Sequence, residues 1–229
     1  FGGDVIEGAH LAKIIEGLGV HSQLEKLGLN DMNAGRHECR ALSDLLRSTF
    51  TQLETLDLSY MGIDDEGVSV LVGGLANSNL CVLDLSKNQI TARGCERLAP
   101  LLANPNSNLE QLFLYNNNIG NEGAIIFANA LTTNNKLKRL NLIDNGITAE
   151  GWSGFSKVLC DTSSVNKTHN SNHTLELLSR DVDMPANVEA SLTLNESSEN
   201  KGQVAIKKIL KHHHDFDMQP FFEWDLKVL

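Results

Sequence analysis

Leucines recur along this chain with a period of about 28 residues. Five segments open on a leucine, and successive openings lie 29, 27, 29 and 28 residues apart. Each segment has leucine again three and five residues after its first one. The last two leucines of each set are separated by one position, which is the period of a β-strand with one buried face. The opening residues are Leu24, Leu53, Leu80, Leu109 and Leu137.

A helical pattern follows each of these strands. Ten residues after the opening leucine comes an isoleucine, or Ala34 in the first segment, and a glycine follows four residues later in the last four segments. Beyond it, apolar residues stand four positions apart, which places them on one helix face. One strand–loop–helix unit cannot cover its own apolar face, so we predict a stack of units. The helix pairs are Leu42 and Leu46, Leu71 and Leu75, Leu98 and Leu102, Phe127 and Leu131, and Phe155 and Leu159.

Three of the segments carry a family resemblance. LCVLDLSKNQI (80–90), LEQLFLYNNNI (109–119) and LKRLNLIDNGI (137–147) resemble the LxxLxLxxNxI signature of leucine-rich repeats. The period and the IxxxG junction are similar to the ribonuclease-inhibitor-like class, which also occurs in NOD-like receptors and the Ran GTPase-activating protein. The resemblance covers residues 5–160. It implies an α/β leucine-rich-repeat solenoid, a curved horseshoe with a parallel β-sheet on the concave face and α-helices on the convex face.

The loops depart from this signature in the first two units. Its ninth position should hold an asparagine that ties down the loop backbone, but Met32 and Met61 stand there. We therefore expect looser loops in those two units. At the helix starts, we predict three N-caps, which are Asp64, Thr91 and Thr148.

The sequence predicts three parts, which are a solenoid at 1–160, a polar loop at 161–174, and a modified repeat with a helical cap at 175–229. The solenoid begins with a partial repeat, so we expect an exposed apolar edge at that end. Its first helix, at 5–18, should turn Ile6, Leu11, Ile14 and Leu18 to one side.

In the third part, LELLSRDV (175–182) is predicted as a sixth strand in which Arg180 replaces a leucine. Residues 183–200 have turn composition. A helix at 201–214 should turn Ala205, Ile206, Ile209, Leu210 and His213 to one side. We expect the last repeat to be covered by three aromatic residues, Phe221, Phe222 and Trp224. This block also resembles uncharacterised repeat proteins of algae such as diatoms, which implies no function.

Charge and composition argue against several classes of function. A net charge of -10 disfavours binding to nucleic acid. No apolar run approaches the ~20 residues that a membrane helix needs. The cysteines show no CxxC pairing, and Cys39 and Cys95 fall at a helix core position, so we predict buried thiols. We predict no cofactor, no small-molecule substrate and a cytoplasmic location.

No sequence motif of a catalytic or metal site is present. Three histidines at 212–214 are followed by Asp215 and Asp217, but adjacent helical side chains point about 100° apart, so we predict a solvated helix end and no metal site. Three lysines on the same helix are predicted to form a solvated face. Three N-x-S/T triplets would matter only in a secreted protein. The lysines are Lys207, Lys208 and Lys211, and the triplets begin at Asn166, Asn172 and Asn195.

Strand geometry predicts a binding surface on the concave face. Positions three, five and seven of each unit should point outward from the sheet. They place Phe113, Tyr115 and Ile143 in one apolar cluster, which we expect to lie near Arg139 and Tyr60 and to anchor a partner. Asp57 and Asp84 should select for a basic partner.

The sequence therefore favours a non-catalytic protein–protein interaction scaffold that binds a protein or peptide on its concave face. One alternative is a GTPase-activating module of the Ran type, although Arg93, Arg97 and Arg139 lie in no motif that matches that family. The other alternative is a purely structural spacer. An aromatic cluster covered by the 161–174 segment would favour the spacer.

Overall fold

A computed structural model describes residues 8–18, 23–32, 35–47, 52–76, 78–178, 183–198 and 200–215. Strands and helices alternate through the first two thirds of the chain. The strands are β1 (Lys26–Gly28), β2 (Thr55–Asp57), β3 (Val82–Asp84), β4 (Gln111–Phe113), β5 (Arg139–Asn141) and β6 (Leu177–Leu178). The helices are α1 (Gly8–Leu18), α2 (Arg36–Arg47), α3 (Asp65–Leu75), α4 (Ala92–Ala103), α5 (Gly120–Ala130), α6 (Ala149–Leu159), α7 (Val165–His169), α8 (Ala186–Glu196) and α9 (Lys201–His212).

The six strands form one parallel sheet in chain order. The central leucine of each strand is in register with that of the next, and all except Leu27 of β1 are buried. From α1 to α6, each helix packs on the next one along the chain. This arrangement confirms the predicted α/β leucine-rich-repeat solenoid, with one core shared between the sheet and the helices. The sixth strand is also confirmed, whereas Arg180 lies outside the described residues.

The glycine near the start of each helix from α4 to α6 is a packing requirement. A Cβ on Gly151 would lie 2.8 Å from Cγ2 of Ile147 and 2.9 Å from Cα of Asn121 in the preceding helix. Real Cβ atoms do not come that close. The IxxxG spacing thus lets a core isoleucine and the neighbouring helix share space that any larger residue would take.

Asparagines of the ninth position connect neighbouring loops. Asn88 accepts hydrogen bonds from the backbone N–H groups of Met61 (3.1 Å) and Ile63 (2.9 Å), and its amide donates to the carbonyls of Leu58 and Leu85 (2.9 Å each). Each asparagine therefore serves its own loop and the preceding one. The expectation of a looser loop around Met61 is wrong, because Asn88 fixes that loop and the Met61 side chain is fully buried.

The predicted N-caps take two forms. Asp64 accepts from the N–H of Gly67 and Thr91 from that of Arg93, as expected. Thr148 occupies the N-cap of α6 but makes no cap hydrogen bond. Its hydroxyl instead lies 3.0 Å from the amide nitrogen of Asn121, at the start of the preceding helix.

The first helix turns only part of its predicted face to the core, and Ile6 lies outside the described residues. Leu11, Ala12 and Ile15 are buried, whereas the side chain of Ile14 is 48% exposed. Leu18 is partly buried against the core, as predicted. Leu11 and Ile15 stand four positions apart and therefore lie on one helix face. Because Ala12 beside them is small, α1 can pack closely on α2 through this face.

The residues from 161 to 215, called here the C-terminal segment, contain helices that the sequence pattern did not reveal. The short α7 lies inside the region expected to be a loop, and α8 lies inside the region of turn composition. Helix α8 buries Val188 and Leu192 at helical spacing, but polar residues surround them in the sequence. The aromatic residues Phe221, Phe222 and Trp224 lie outside the described residues.

Helix α9 differs from its prediction at two positions. Leu210 is 48% exposed, and Lys208 is fully buried although a solvated lysine was expected. The Lys208 ammonium donates to the carbonyls of Leu159 (2.5 Å) and Asn172 (3.3 Å) and lies 3.2 Å from Nδ1 of His173. An ammonium has three donors, so these three acceptors satisfy it without a carboxylate partner.

Candidate functional site

The concave surface is organised in rows that run across the strands. In the middle row, Asp57 of β2 is in register with Asp84 of β3, and Asp84 is in register with Phe113 of β4. Phe113 is in turn in register with Asn141 of β5. Neighbouring strands lie about 4.8 Å apart, so the two carboxylates and the Phe113 ring stand side by side.

The two aspartates of this row are held in place by the backbone. One carboxylate oxygen of Asp57 accepts from the N–H of Ser59 (2.9 Å), and one of Asp84 accepts from that of Ser86 (2.8 Å). Among the described residues, neither aspartate forms an ion pair. Like charges directly opposite each other on neighbouring strands are unfavourable. The fold therefore retains a small repulsion at this point of the concave surface.

The apolar part of the surface follows on the next two strands. Phe113, Tyr115 and Ile143 are all half-buried. The pairing between their strands continues past β4, because the N–H of Asn116 donates to the carbonyl of Ile143 (2.9 Å). The three residues therefore lie on adjacent strands and their continuations, and that they form a binding cluster stays a prediction. Helix α7 of the C-terminal segment packs on α9 and makes no contact with β4.

The two other residues predicted near the cluster are Tyr60 and Arg139. Tyr60 is 61% exposed in a left-handed backbone conformation (φ 58°) at the end of β2. Strand β3 lies between β2 and the strand of Phe113, and the place of Tyr60 near the cluster stays a prediction. Arg139 is exposed and pairs with Gln111, so it lies at the edge of the cluster, one row from Phe113.

The described residues offer little support for a catalytic or metal centre. Burial raises the pKa of the Cys39 thiol to about 12, which keeps it protonated. Cys39 and Cys95 are fully buried free thiols, as predicted. Within the described part of the chain, no group of three or more histidine, cysteine or acidic residues could hold a metal ion. Of the histidines at 212–214, His213 lies 2.8 Å from the Thr168 hydroxyl, whereas His212 and His214 are exposed.

The structure separates the three N-x-S/T triplets. Asn172 and Asn195 are 4% and 0% exposed, and their amides donate to backbone carbonyls in the core. Only Asn166 is exposed. A glycan could therefore reach Asn166 in the folded protein but neither of the other two asparagines.

Of the three repeat arginines, Arg93 has a clear structural role. Its guanidinium lies 3.1 Å from the Glu66 carboxylate, which also pairs with Arg36 at 3.4 Å. These contacts join the starts of three successive helices. Arg97 and Arg139 are exposed.

Comparisons with known proteins agree with this architecture. A family model described as leucine-rich repeat matches residues 51–72, 76–99, 106–128 and 133–156. The mouse ribonuclease inhibitor is 35% identical over 155 residues, which are 66% of this chain and 34% of that protein. Leucine-rich repeat-containing protein 45 of chicken is 35% identical over 129 residues, 55% of this chain and 19% of that protein.

A third relative is NACHT, LRR and PYD domains-containing protein 14 of mouse, 29% identical over 143 residues, which are 62% of this chain and 14% of that protein. The chain spans about a third or less of the length of these three relatives.

In the described part of the chain, none of the helices is long and apolar enough to cross a membrane.

Proposed function

Because this chain is a leucine-rich-repeat protein of the ribonuclease-inhibitor-like class, we propose that it is a non-catalytic scaffold that binds a protein or peptide on its concave face. Repeats of this kind serve generally as interaction modules. The mouse relative is named a ribonuclease inhibitor, and a ribonuclease is itself a protein. The extension to the concave face of this chain is part of the proposal.

The observation that supports this site most is the aromatic cluster on the sheet. Phe113 and Tyr115 point away from the leucine core, although this chain is only 5% aromatic. A solvated sheet face normally carries polar residues at such positions. Partly exposed apolar groups with a polar rim mark interaction sites, and tyrosine is enriched among the residues that dominate binding energies.

The neighbouring carboxylates indicate the chemistry of the partner. Asp57 and Asp84 stand beside Phe113 in the same row, and the backbone holds both in position. A basic side chain placed between them would remove their mutual repulsion. We therefore propose a partner that offers an apolar anchor to the cluster and a lysine or arginine to the aspartates.

Affinity capture from a lysate of the source cell tests this function. The wild-type chain is compared with Phe113→Ala/Tyr115→Ala and with the convex-face control Ile125→Ala, whose side chain is 38% exposed on α5. All proteins are first matched in thermal stability. A ligand retained by the wild type and the control but lost by the double variant is the expected result.

A second variant separates the two parts of the proposal. Asp57→Asn/Asp84→Asn keeps the acceptor oxygens but removes both charges. With the purified ligand, we expect a lower association rate and a weaker salt dependence. Identical capture by the wild type and Phe113→Ala/Tyr115→Ala would refute the concave site and favour the structural spacer.

A further inference from the structure

A second concave region lies in the C-terminal segment, away from the sheet. It is a cleft of about 450 Å³ between the end of α6, the turn that follows it, α8 and α9. Its walls include Lys157 and Cys160 from α6 and its end, Ser163 from the turn, Ser191 from α8, and Lys211 and His212 from α9. These residues come from four separate parts of the chain, so the cleft forms only when the C-terminal segment is folded against α6.

The cleft is positively charged in an acidic protein. Lys157 and Lys211 face it from two different helices, and neither pairs with an acidic side chain among the described residues. The single carboxylate in its lining is that of Asp161. It accepts a hydrogen bond from the N–H of Ser163 (3.0 Å) and lies 3.9 Å from the Lys167 ammonium. Hydrogen bonds from Ser163 lower the pKa of Asp161, and the charges of Lys167 and Lys157 lower it further. This carboxylate offsets part of the positive charge, but the two lysines of the lining outnumber it.

The pKa values of neighbouring groups indicate the same positive potential. Burial lowers the pKa of His212, and the positive charges of Lys211, His213, His214 and Lys208 lower it further. Burial raises the pKa of Cys160, while Lys208 and Lys211 act in the opposite direction. The buried Lys208 ammonium thus adds to the field of the exposed lysines. In a cleft, charges of one sign act together and concentrate counter-ions.

The size and the polar groups of the cleft define the class of ligand. Thr162 and Ser163 belong to its lining beside the lysines, and the Ser163 side chain hydrogen-bonds to Asp161. A phosphomonoester carries close to two negative charges and three acceptor oxygens, which matches two ammonium groups and the Thr162 hydroxyl. The cleft of about 450 Å³ has room for such a group between its two lysines. It lacks the extended basic stripe that a nucleic-acid backbone needs.

We propose that this cleft binds a phosphomonoester group, with Lys157 and Lys211 as its charge partners. The site is independent of the concave face, because Lys157, Lys211 and the turn residues belong to the last helix of the repeats and to the C-terminal segment. Its test therefore succeeds or fails separately from that of the protein-binding function.

Inorganic phosphate is the first probe, added against sodium chloride at constant ionic strength and pH 7.5. We expect backbone amide NMR shifts at Cys160, Ser163 and Ser191, and a rise in the melting temperature of the chain. Lys157→Ala/Lys211→Ala should weaken binding at least about tenfold, because hydrogen bonds to charged groups are lost. Both side chains are exposed, so the variant should fold.

A matched control removes two positive charges elsewhere. Lys13→Ala/Lys136→Ala changes two exposed lysines on α1 and before β5, and it should bind phosphate like the wild type. Equal weakening in both double variants would mean general charge attraction and would overturn the site. No localised shifts with phosphate in the wild type would overturn it as well.

The source of the phosphate group is decided with two further probes. Free phosphoserine is compared with a short phosphoserine peptide, and the unphosphorylated peptide serves as the control. Tighter binding of the phosphopeptide indicates a phosphorylated protein segment as the ligand, whereas equal binding indicates a small phosphorylated metabolite. Failure of both compounds to displace inorganic phosphate would refute the phosphomonoester proposal.

Discussion

The regular repeats and the C-terminal segment face the same problem at the end of each helix, where the last carbonyl groups lack partners. At the ends of α4 and α5, asparagine amides supply the missing donors. Asn134 donates to the carbonyl of Leu102 (2.6 Å), and Asn172 donates to that of Leu131 (2.9 Å). At the end of α6, the carbonyl of Leu159 receives its hydrogen bond from Lys208 of α9.

The difference shows how the end of α6 departs from the repeat pattern. Each asparagine follows the next helix of the stack, so each unit completes the one before it. After α6 come β6 and α8, but Asn195 at the end of α8 donates to the carbonyls of Asn172 and Leu175. Lys208 of α9 supplies the donor for Leu159 instead. The asparagine amide does not titrate at any accessible pH, whereas the lysine ammonium can lose its proton. Burial lowers the pKa of Lys208 to about 8, and burial and the neighbouring Lys208 lower that of His173 to about 4.

The sharpest test of this comparison removes the lysine. Lys208→Met keeps most of the volume but leaves the carbonyl of Leu159 and Nδ1 of His173 without this donor, while the carbonyl of Asn172 keeps its hydrogen bond from Asn195. We expect the free energy of unfolding to fall by about 3 kcal/mol, measured by urea denaturation. Lys207→Met, on the exposed side of the same helix, should change it by less than about 0.5 kcal/mol. Similar values for the two variants would mean that the contacts of Lys208 do not stabilise the end of α6.

The corresponding change in the repeats is Asn134→Ala. It leaves the carbonyl of Leu102 and the N–H groups of Lys136 and Leu137 without their partner. We expect a loss of about 2 kcal/mol in the same denaturation experiment. Asn135→Ala, one residue further and exposed, is the control. A loss larger than that of Lys208→Met would reverse the comparison.

Acid should weaken the C-terminal segment more than the repeats. The pKa of His173 is about 4 in the folded protein, against 6.5 for an ordinary histidine, so the unfolded chain takes up this proton first as the pH falls. Stability should therefore decrease from about pH 6.5 towards 4. We expect about 1 kcal/mol between pH 7 and 5 after allowing for the partial exposure of the ring.

His173→Gln isolates this contribution, because glutamine can accept from Lys208 without titrating. Urea denaturation at pH 7 and 5 should show a smaller decrease for the variant than for the wild type. Amide exchange should place the difference in α7 and α9. Equal decreases for both proteins would contradict the role of His173.

The smallest expected effect concerns charge on the concave face, where the repeats hold two neighbouring carboxylates without a cation. Asp84→Asn keeps the acceptor for the N–H of Ser86 and removes the repulsion with Asp57. We expect the free energy of unfolding to rise by up to about 0.5 kcal/mol in urea denaturation. Asp84→Ala, which also loses the hydrogen bond, should be less stable than Asp84→Asn. Destabilisation by both variants would mean that the two aspartates support the sheet.

The leucine pattern was enough to predict the solenoid. Leu56, Leu83 and Leu112 alternate with outward residues, and a parallel sheet built from them buries one face whatever lies elsewhere. The IxxxG junction and the caps at Asp64 and Thr91 follow from short-range spacing in the same way. The outward placement of Phe113 and Tyr115 needed only the period of a strand. These features could be predicted because each depends on residues close together in the chain.

The C-terminal segment shows what local patterns leave undetermined. Lys208 and Leu159 are 49 positions apart, and Asn172 and Leu131 are 41. In the sequence, Lys208 is one of three similar lysines, and Asn172 and Asn195 look like glycosylation triplets in polar stretches. A polar side chain is stable in the core only when it forms a hydrogen bond there. For these residues the partner is a backbone group far away in the sequence, which comes within reach only after the helices have packed.

By itself, the sequence therefore determined the repeat, the sheet, the core and the two faces of the solenoid, because apolar burial follows a fixed period. Only the tertiary structure decided that Asn88 fixes the loop at Met61 and that Lys208 donates to the carbonyl of Leu159 at the end of α6. It also brought Lys157 and Lys211 to one cleft. Each of these depends on a partner in another element, and hydrogen bonds and charges act between atoms that are close in space, at any separation along the chain.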